Sequence, residues 1–242
     1  MSLYGAVYLT GFILAVLFLY INTKNIEKAL YLALTASVGA ILGGRLFYVL
    51  FFEPYYYLKN PFEILEIYKG GMAYHGGLIG LISALFLFKK DQQDFFKTTD
   101  ILVYIALIII PLGRIVNFIN GELWGTVSTL PFAVIFEGAD AYPRHPVQIY
   151  EALLEGPILY LFIKLSLKFI TQKVYPVFGT ISALYLIGYG LLRTLGEIFR
   201  ESDVFLGRFF NILSMGQILC IITAILGLLL LKNRLKQALI HK

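Results

Sequence analysis

Long apolar runs separated by short polar connections dominate the chain. A helix needs roughly 20 apolar residues to cross a bilayer, and seven runs approach that length. Their approximate bounds are residues 4–21, 29–51, 72–88, 100–118, 148–167, 178–198 and 212–231. The pattern predicts an all-α polytopic membrane protein with seven transmembrane helices in one transmembrane domain, residues 1–242. We expect the first run to be a retained span and not a removed signal peptide.

Two of these runs contain residues that disfavour a continuous helix. Pro111 and Gly113 fall inside the fourth run, and Gly188 and Gly190 fall inside the sixth. Proline removes a backbone donor, and glycine is a weak helix former. We therefore expect both spans to be interrupted at these positions.

Composition supports a membrane protein. The chain of 242 residues is 59% hydrophobic and 14% charged, whereas a soluble domain has about 25% charged residues. The net charge of +5 must then be read from the positions of the basic residues, and it gives no reason to expect a nucleic-acid partner.

The basic residues indicate an orientation. If the connections alternate between two sides, twelve basic residues fall on the side of the C-terminus and five on the other side. Cytoplasmic loops are the lysine-rich ones, so we expect a cytoplasmic C-terminus and an outside N-terminus. The long connection 119–147, between spans four and five, then forms a small extracytoplasmic head segment.

The segment GRIVNFINGELWG at 113–125 places polar chemistry at the end of the fourth run. Arg114 and Asn117 are three residues apart and share a helix face. Gly121 is expected to end the helix, and Glu122 follows it. An arginine at membrane depth is costly unless it faces a partner or a polar cavity, so this segment predicts a reaction or binding site.

Two further arginines occur in or near spans. Arg193 precedes Glu197 by four residues, which allows an ion pair on one helix face. Arg45 follows two glycines, and it either reaches the headgroup region or serves a site. A guanidinium also binds phosphate through two parallel donors, and a membrane protein meets phosphate in phospholipid headgroups.

Two motifs surround the histidines His75 and His145. His75 lies between glycine pairs in GGMAYHGG, residues 70–77, and is either a packing residue or a general base. In RHPVQIYEALLEG, residues 144–156, the polar positions are Gln148, Glu151 and Glu155. This stripe either bonds helices together or orients Arg114 or Arg193.

A metal site is not predicted. The histidines have no metal-ligand spacing, and the single cysteine, Cys220, lies in an apolar run. A buried small side chain is the expected role of Cys220.

Taken in order, seven segments resemble the bacterial prolipoprotein diacylglyceryl transferase family over nearly the whole chain. They read YGAVYLTGF, GGRLFYVLF, GGMAYHGGLIG, GRIVNFINGELWG, RHPVQIYEALLEG, GYGLLRTLGEIFR and SMGQIL. The resemblance implies transfer of a diacylglyceryl group from phosphatidylglycerol to the lipobox cysteine of a preprolipoprotein signal peptide. A thioether forms and glycerol 1-phosphate leaves, at the outer face of the bacterial cytoplasmic membrane, with no metal or soluble cofactor.

The resemblance also implies roles for particular residues. His75 takes the position of the family's histidine and is the candidate base, while Arg114 and Arg193 stabilise the leaving phosphate. The remaining substrate-binding candidates are Tyr4, Arg45, Asn117, Asn120, Glu122, Glu151, Tyr189 and Glu197. Among them, the glutamates orient the arginines or hold glycerol hydroxyls, and Tyr4 and Tyr189 line the lipid cavity.

The chain departs from the family's usual pattern at Val116, Thr126 and the Ala73-Tyr74 pair, and in a short stretch before Tyr4. Two other functions are compatible with the residues. One is a membrane anion transporter with arginines along its path. The other is a lipid-binding homologue without the chemistry.

Overall fold

Helices account for nearly all regular structure. The computed structural model describes residues 2–172, 177–201, 208–209 and 213–240. Its helices are α1 (Leu3–Thr23), α2 (Ile26–Phe51), α3 (Pro54–Lys59), α4 (Tyr74–Leu87), α5 (Gln92–Ile119), α6 (Val147–Leu153), α7 (Leu159–Thr171), α8 (Thr180–Gly196) and α9 (Met215–Ile240). Of these, α1, α2, α5 and α9 are long and apolar enough to cross a membrane, and α4 is a shorter apolar helix. The prediction of a helical membrane protein is confirmed in part: nearly all regular structure of the described residues is helical, and four helices are candidate spans.

Short elements connect the helices. Single 3₁₀ turns cover Pro61–Leu65, Ile67–Lys69 and Glu197–Phe199, and a π-helical turn at Leu154–Ile158 joins α6 to α7. The strands β1 (Arg208–Phe209) and β2 (Leu213–Ser214) pair antiparallel. Most of the predicted connection 199–211, and position 212 where the seventh run was expected to begin, lie outside the described residues.

The predicted interruptions of two spans are wrong. Helix α5 continues through Pro111 and Gly113, and α8 continues through Gly188 and Gly190. A membrane helix tolerates proline and glycine where neighbouring helices support it. At Gly190 a Cβ would lie 2.8 Å from that of Ala224 on α9, so the missing side chain lets α8 and α9 approach.

The helices form two compact units. One comprises Phe12–Thr99, and the other comprises Met1–Gly11 with Asp100–Lys242. In the first unit α2 packs along α4 through Gly39 and Gly43 facing Gly80. A Cβ on Gly43 would lie 2.6 Å from the Cα of Gly80, and small residues of this kind allow close packing of membrane helices.

The second unit is built on α8, which packs against α7 and α9. The Asp100 carboxylate of α5 fixes the beginning of α8. It accepts bonds from the backbone N–H of Gly179 (2.7 Å) and from the backbone N–H and hydroxyl of Ser182 (2.8 and 2.6 Å). Free N–H groups at a helix N-terminus favour a carboxylate there. This contact therefore fixes the N-terminus of α8 to α5 at Asp100.

The segment 119–147 has little regular structure and is ordered around Arg144. This arginine pairs with Asp140 at 2.7 Å and Glu201 at 2.6 Å, and it donates to the carbonyl of Gly125 at 3.0 Å. Its backbone forms isolated antiparallel β-bridges with Val127 and with Val134. One arginine therefore ties together both ends of the segment.

Candidate functional site

The second unit contains a buried cluster of arginines and glutamates. Arg114 of α5 binds Glu155 through Nε and Nη2 at 2.9 and 3.1 Å, and Glu151 through Nη1 at 3.0 Å. Arg193 of α8 binds the same two carboxylates through Nη1 at 2.7 Å and Nε at 3.3 Å. Glu151 and Glu155 therefore hold both guanidinium groups from one helix.

The helix that carries these carboxylates begins where the sequence predicts. Pro146 precedes the first turn of α6, and Gln148 donates from Nε2 to the carbonyl of Glu122 at 2.6 Å. Glu151 and Glu155 lie one turn apart, and their side chains are fully buried or nearly so. The predicted polar stripe is thus both an interhelical contact and the support of Arg114 and Arg193.

Glu197 completes the coordination of Arg193. Its carboxylate lies 2.6 Å from Nη2 of Arg193 and accepts a bond from the Ser214 hydroxyl at 3.2 Å. Ser214 also bonds reciprocally with Gln217, as in a capping box at the beginning of α9. The N-terminus of α9 therefore faces Glu197, and the partial positive charge there favours the carboxylate.

A second polar group lies at the end of α5 and the beginning of α1. The Tyr4 hydroxyl donates to Glu122 and accepts from the Asn117 amide. Asn120 donates to the other Glu122 oxygen at 2.9 Å. The backbone turns sharply on both sides of Glu122, with φ of +66° at Gly121 and +58° at Leu123. A leucine rarely adopts such a φ, so the turn holds Glu122 at some cost in strain.

The arginine cluster is close to electrical neutrality. Arg114, Arg193 and Arg200 supply three positive charges, and Glu151, Glu155 and Glu197 supply three negative charges. The side chains of Arg114 and Arg193 are only 14% and 9% exposed. A buried guanidinium with donors left over is suited to an anionic oxygen group such as a phosphate.

The structure brings most of the predicted site residues into two groups. Arg114, Arg193, Glu151 and Glu197 form the cluster, and the predicted ion pair between Arg193 and Glu197 is confirmed. Tyr4, Asn117, Asn120 and Glu122 form the second group; Glu122 bonds to these three side chains, not to an arginine. Tyr189 is buried on α8, with 1% of its surface exposed.

Two predicted residues belong to the other unit. Arg45 is 4% exposed and donates to the carbonyls of Glu63 (2.5 Å), Ile64 (2.9 Å), Gly70 (2.6 Å) and Gly71 (3.2 Å). Backbone carbonyls therefore take most of the Arg45 donors. That Arg45 extends to the headgroup region or serves a site stays a prediction.

His75 is the second residue of α4 and is partly exposed. Its ring meets that of Tyr74 edge to face, with 5.3 Å between ring centroids. Tyr74, which makes this ring contact, is one of the residues at which the chain departs from the family's usual pattern. The role of His75 as a base remains a prediction.

Three contacts were not predicted from the sequence. Glu155 was placed in the polar stripe but not among the site residues, and neither Arg200 nor Ser214 was identified. Arg200 lies 3.4 Å from Glu151. The four-residue spacing from Glu151 was the signal that could have identified Glu155. The SMGQ motif resembles a capping box and could have identified Ser214. Arg200 gave no local signal, since its partner is far away in the sequence.

No metal site is found in the part of the chain that the structure describes: no three histidine, cysteine, aspartate or glutamate side chains are placed to hold an ion. Cys220 is buried, as expected for a packing residue.

Comparison with known proteins identifies relatives over most of the chain. The family model for prolipoprotein diacylglyceryl transferase matches residues 1–232. A protein of Polynucleobacter asymbioticus, named phosphatidylglycerol–prolipoprotein diacylglyceryl transferase, is 46% identical over 87% of this chain and 78% of its own length. Proteins of the same name from Aliivibrio fischeri and Rickettsia bellii are 40% and 44% identical. They match 94% and 87% of this chain and 83% and 79% of their own lengths.

Proposed function

The chain belongs to the prolipoprotein diacylglyceryl transferase family, and from this premise we propose that it is the transferase of lipoprotein maturation. Its lipid substrate is phosphatidylglycerol, and its protein substrate is a preprolipoprotein with a lipobox cysteine. The names of its relatives support both substrates.

The reaction exchanges one bond to a glycerol carbon. The cysteine sulfur forms a bond to the terminal glyceryl carbon, and the bond from that carbon to the phosphate oxygen breaks. The oxygen keeps the electron pair, so glycerol 1-phosphate leaves and a thioether remains. The thiol proton must be removed, because the thiolate is the nucleophile.

The observation that carries this proposal is the pair of arginines held by shared carboxylates. Negative charge grows on the phosphate oxygen as the carbon–oxygen bond breaks. Fixed cations in a buried site stabilise such charge strongly, because they need not reorganise during the reaction. Arg114 and Arg193 are held by Glu151 and Glu155, and Arg193 also by Glu197. Each Nη carries two N–H groups, so the second N–H of each is the donor proposed for the phosphate.

The group around Glu122 is suited to the glycerol part of the headgroup. The Glu122 carboxylate and the Asn117 and Asn120 amides offer acceptors and donors for hydroxyls, and Tyr4 links them. Tyr189 would border the same lipid. His75 as base and Arg45 as a substrate contact rest on the resemblance to the family.

We further propose that the chain is one domain with seven transmembrane helices in the bacterial cytoplasmic membrane. The lysine distribution supports an outside N-terminus and a cytoplasmic C-terminus. Residues 119–147 then form the extracytoplasmic head segment, and the site opens to the outer face.

A transfer assay tests the proposal directly. The full chain, reconstituted with phosphatidylglycerol, is mixed with a peptide that contains a lipobox cysteine. We expect release of glycerol 1-phosphate and a gain of one diacylglyceryl mass on the peptide. A peptide with serine in place of the cysteine is the control and should gain none. Lipid binding without any transfer by the folded protein would contradict the proposal and favour a non-catalytic homologue.

A further inference from the structure

Glu155 contacts both arginines of the proposed phosphate site. Its carboxylate is fully buried and touches both arginines, with two bonds to Arg114 at 2.9 and 3.1 Å and one contact to Arg193 at 3.3 Å. It therefore takes the Nε–Nη2 edge of Arg114 and contacts the Nε of Arg193, whose Nη2 is paired with Glu197. That edge, with one Nη, is a two-donor face of the kind that phosphate prefers.

The backbone fixes Glu155 firmly. It lies within the π-helical turn Leu154–Ile158, and such turns are frequent at functional sites. The next residue, Gly156, packs on Pro111 of α5, where a Cβ would lie 2.5 Å from a proline ring carbon. Pro111 is three residues before Arg114 on the same helix, so one close contact sets the distance between Glu155 and its arginine.

We infer that Glu155 is a positioning residue that competes with the phosphate for Arg114 and Arg193. This inference rests on the proposed function and adds a regulation of the same site. While Glu155 is present, the cluster stays neutral and the arginines stay oriented, but they hold a phosphate group only moderately. Glycerol 1-phosphate can then leave after transfer.

If Glu155 competes with the phosphate, its removal should increase the affinity for glycerol 1-phosphate. Replacing Glu155 by glutamine removes one negative charge and frees donors on two arginines. A tenfold change in affinity corresponds to 1.4 kcal/mol. The variant should bind glycerol 1-phosphate about tenfold more tightly, while its kcat falls because Arg114 is no longer oriented.

The test measures transfer and product affinity on the reconstituted full chain. Glu155→Gln is compared with the wild type and with Glu137→Gln, which removes the same charge at an exposed position of the head segment. We expect a lower kcat and a lower inhibition constant for glycerol 1-phosphate in Glu155→Gln only. Equilibrium binding of glycerol 1-phosphate to the same proteins gives the affinity without turnover.

Glu155→Asp keeps the test decisive if the glutamine variant does not fold. Aspartate is one methylene shorter and cannot reach both arginines as well, so a smaller change in the same direction is expected. A purely structural Glu155 would instead give weaker or unchanged product binding in both variants, and that result would overturn the inference. Failure of the wild type to transfer would overturn the proposed function instead.

Discussion

Arg114 and Arg193 are buried charges whose cost is offset by the carboxylates around them. Each is a charge in an apolar helix. Glu151 and Glu155 pair with both, and Glu197 pairs with Arg193. A buried ion pair adds little stability in itself, but loss of one partner is costly because the other charge stays buried. Both arginines should therefore matter for folding as well as for transfer.

Arg114→Ala and Arg193→Ala are expected to lower kcat/KM for transfer about 100-fold or more, the loss typical of removing a donor to a developing negative charge. The matched control is Lys168→Ala, at an exposed position of α7. Rates are compared at equal amounts of folded protein in the transfer assay. Rates like the wild type in either arginine variant would refute its role at the phosphate.

Asp140 supplies a prediction on pH. The Arg144 guanidinium donates to both carboxylate oxygens, at 3.2 and 2.7 Å, and lowers the pKa of Asp140 below its ordinary value. A carboxylate with a lowered pKa in the folded state stabilises the fold above its ordinary pKa. That contribution is lost as the pH falls through the lowered value.

We therefore expect Asp140→Asn to loosen the head segment at pH 7, and the difference from the wild type to disappear only below about pH 4. Hydrogen exchange of residues 119–147 across the pH range is the measurement. Glu137→Gln in the same segment is the control. A constant difference between Asp140→Asn and the wild type down to about pH 2, well below the ordinary pKa of aspartate, would show that the carboxylate charge is not the cause.

At the scale of elements, small residues decide how closely the helices pack. Gly43 of α2 meets the Gly80 backbone of α4, and Gly190 of α8 meets Ala224 of α9. Gly113 of α5 has no atom within 4 Å of where a Cβ would be. Glycine is thus required at some helical positions and replaceable at others, although all look alike in the sequence.

Gly43→Ala should destabilise the protein by about 1–3 kcal/mol, the typical cost of overpacking. Gly113→Ala is the matched control; it should be neutral or stabilising by up to about 1 kcal/mol, because alanine favours a helix interior. Thermal unfolding in detergent measures both. Equal stability of the two variants would mean that α2 and α4 do not pack as described.

At the scale of the whole molecule, the chain is a multi-pass membrane protein whose proposed orientation rests on its lysines. Four helices are long and apolar enough to cross a bilayer, and helices cover the other three predicted runs as well. The connections assigned to the cytoplasm are short and basic, whereas the segment 119–147 is long and folds around Arg144.

Single cysteines test this orientation. Cys220 is 1% exposed and should not react with a maleimide that cannot cross membranes. In intact cells stripped of any outer membrane, we expect Thr129→Cys to be labelled and Lys90→Cys to be protected. Both positions are exposed on the protein, so both should react once the membrane is permeabilised. Labelling of Lys90→Cys alone in intact cells would reverse the orientation.

Local patterns predicted much of the fold and part of the site. Helices lie in each of the seven apolar runs, and four of these helices are candidate spans. This part of the fold was predictable because hydrophobicity is a property of consecutive residues. The Arg193–Glu197 pair and the Gln148–Glu151–Glu155 stripe follow from helical spacing alone. The interruption of α5 at Pro111 was predicted wrongly, because a neighbouring helix can support a proline that a lone helix would not tolerate.

The sequence by itself determined that this chain is a membrane protein and which family it belongs to, and its lysines support the proposed orientation. Those properties depend on composition, local order and motifs. Only the tertiary structure decided that Glu151 and Glu155 share two arginines, that Arg45 holds backbone carbonyls and that Ser214 supports Glu197. The residues in each of these contacts lie on different elements, and packing, not spacing along the chain, brings them together.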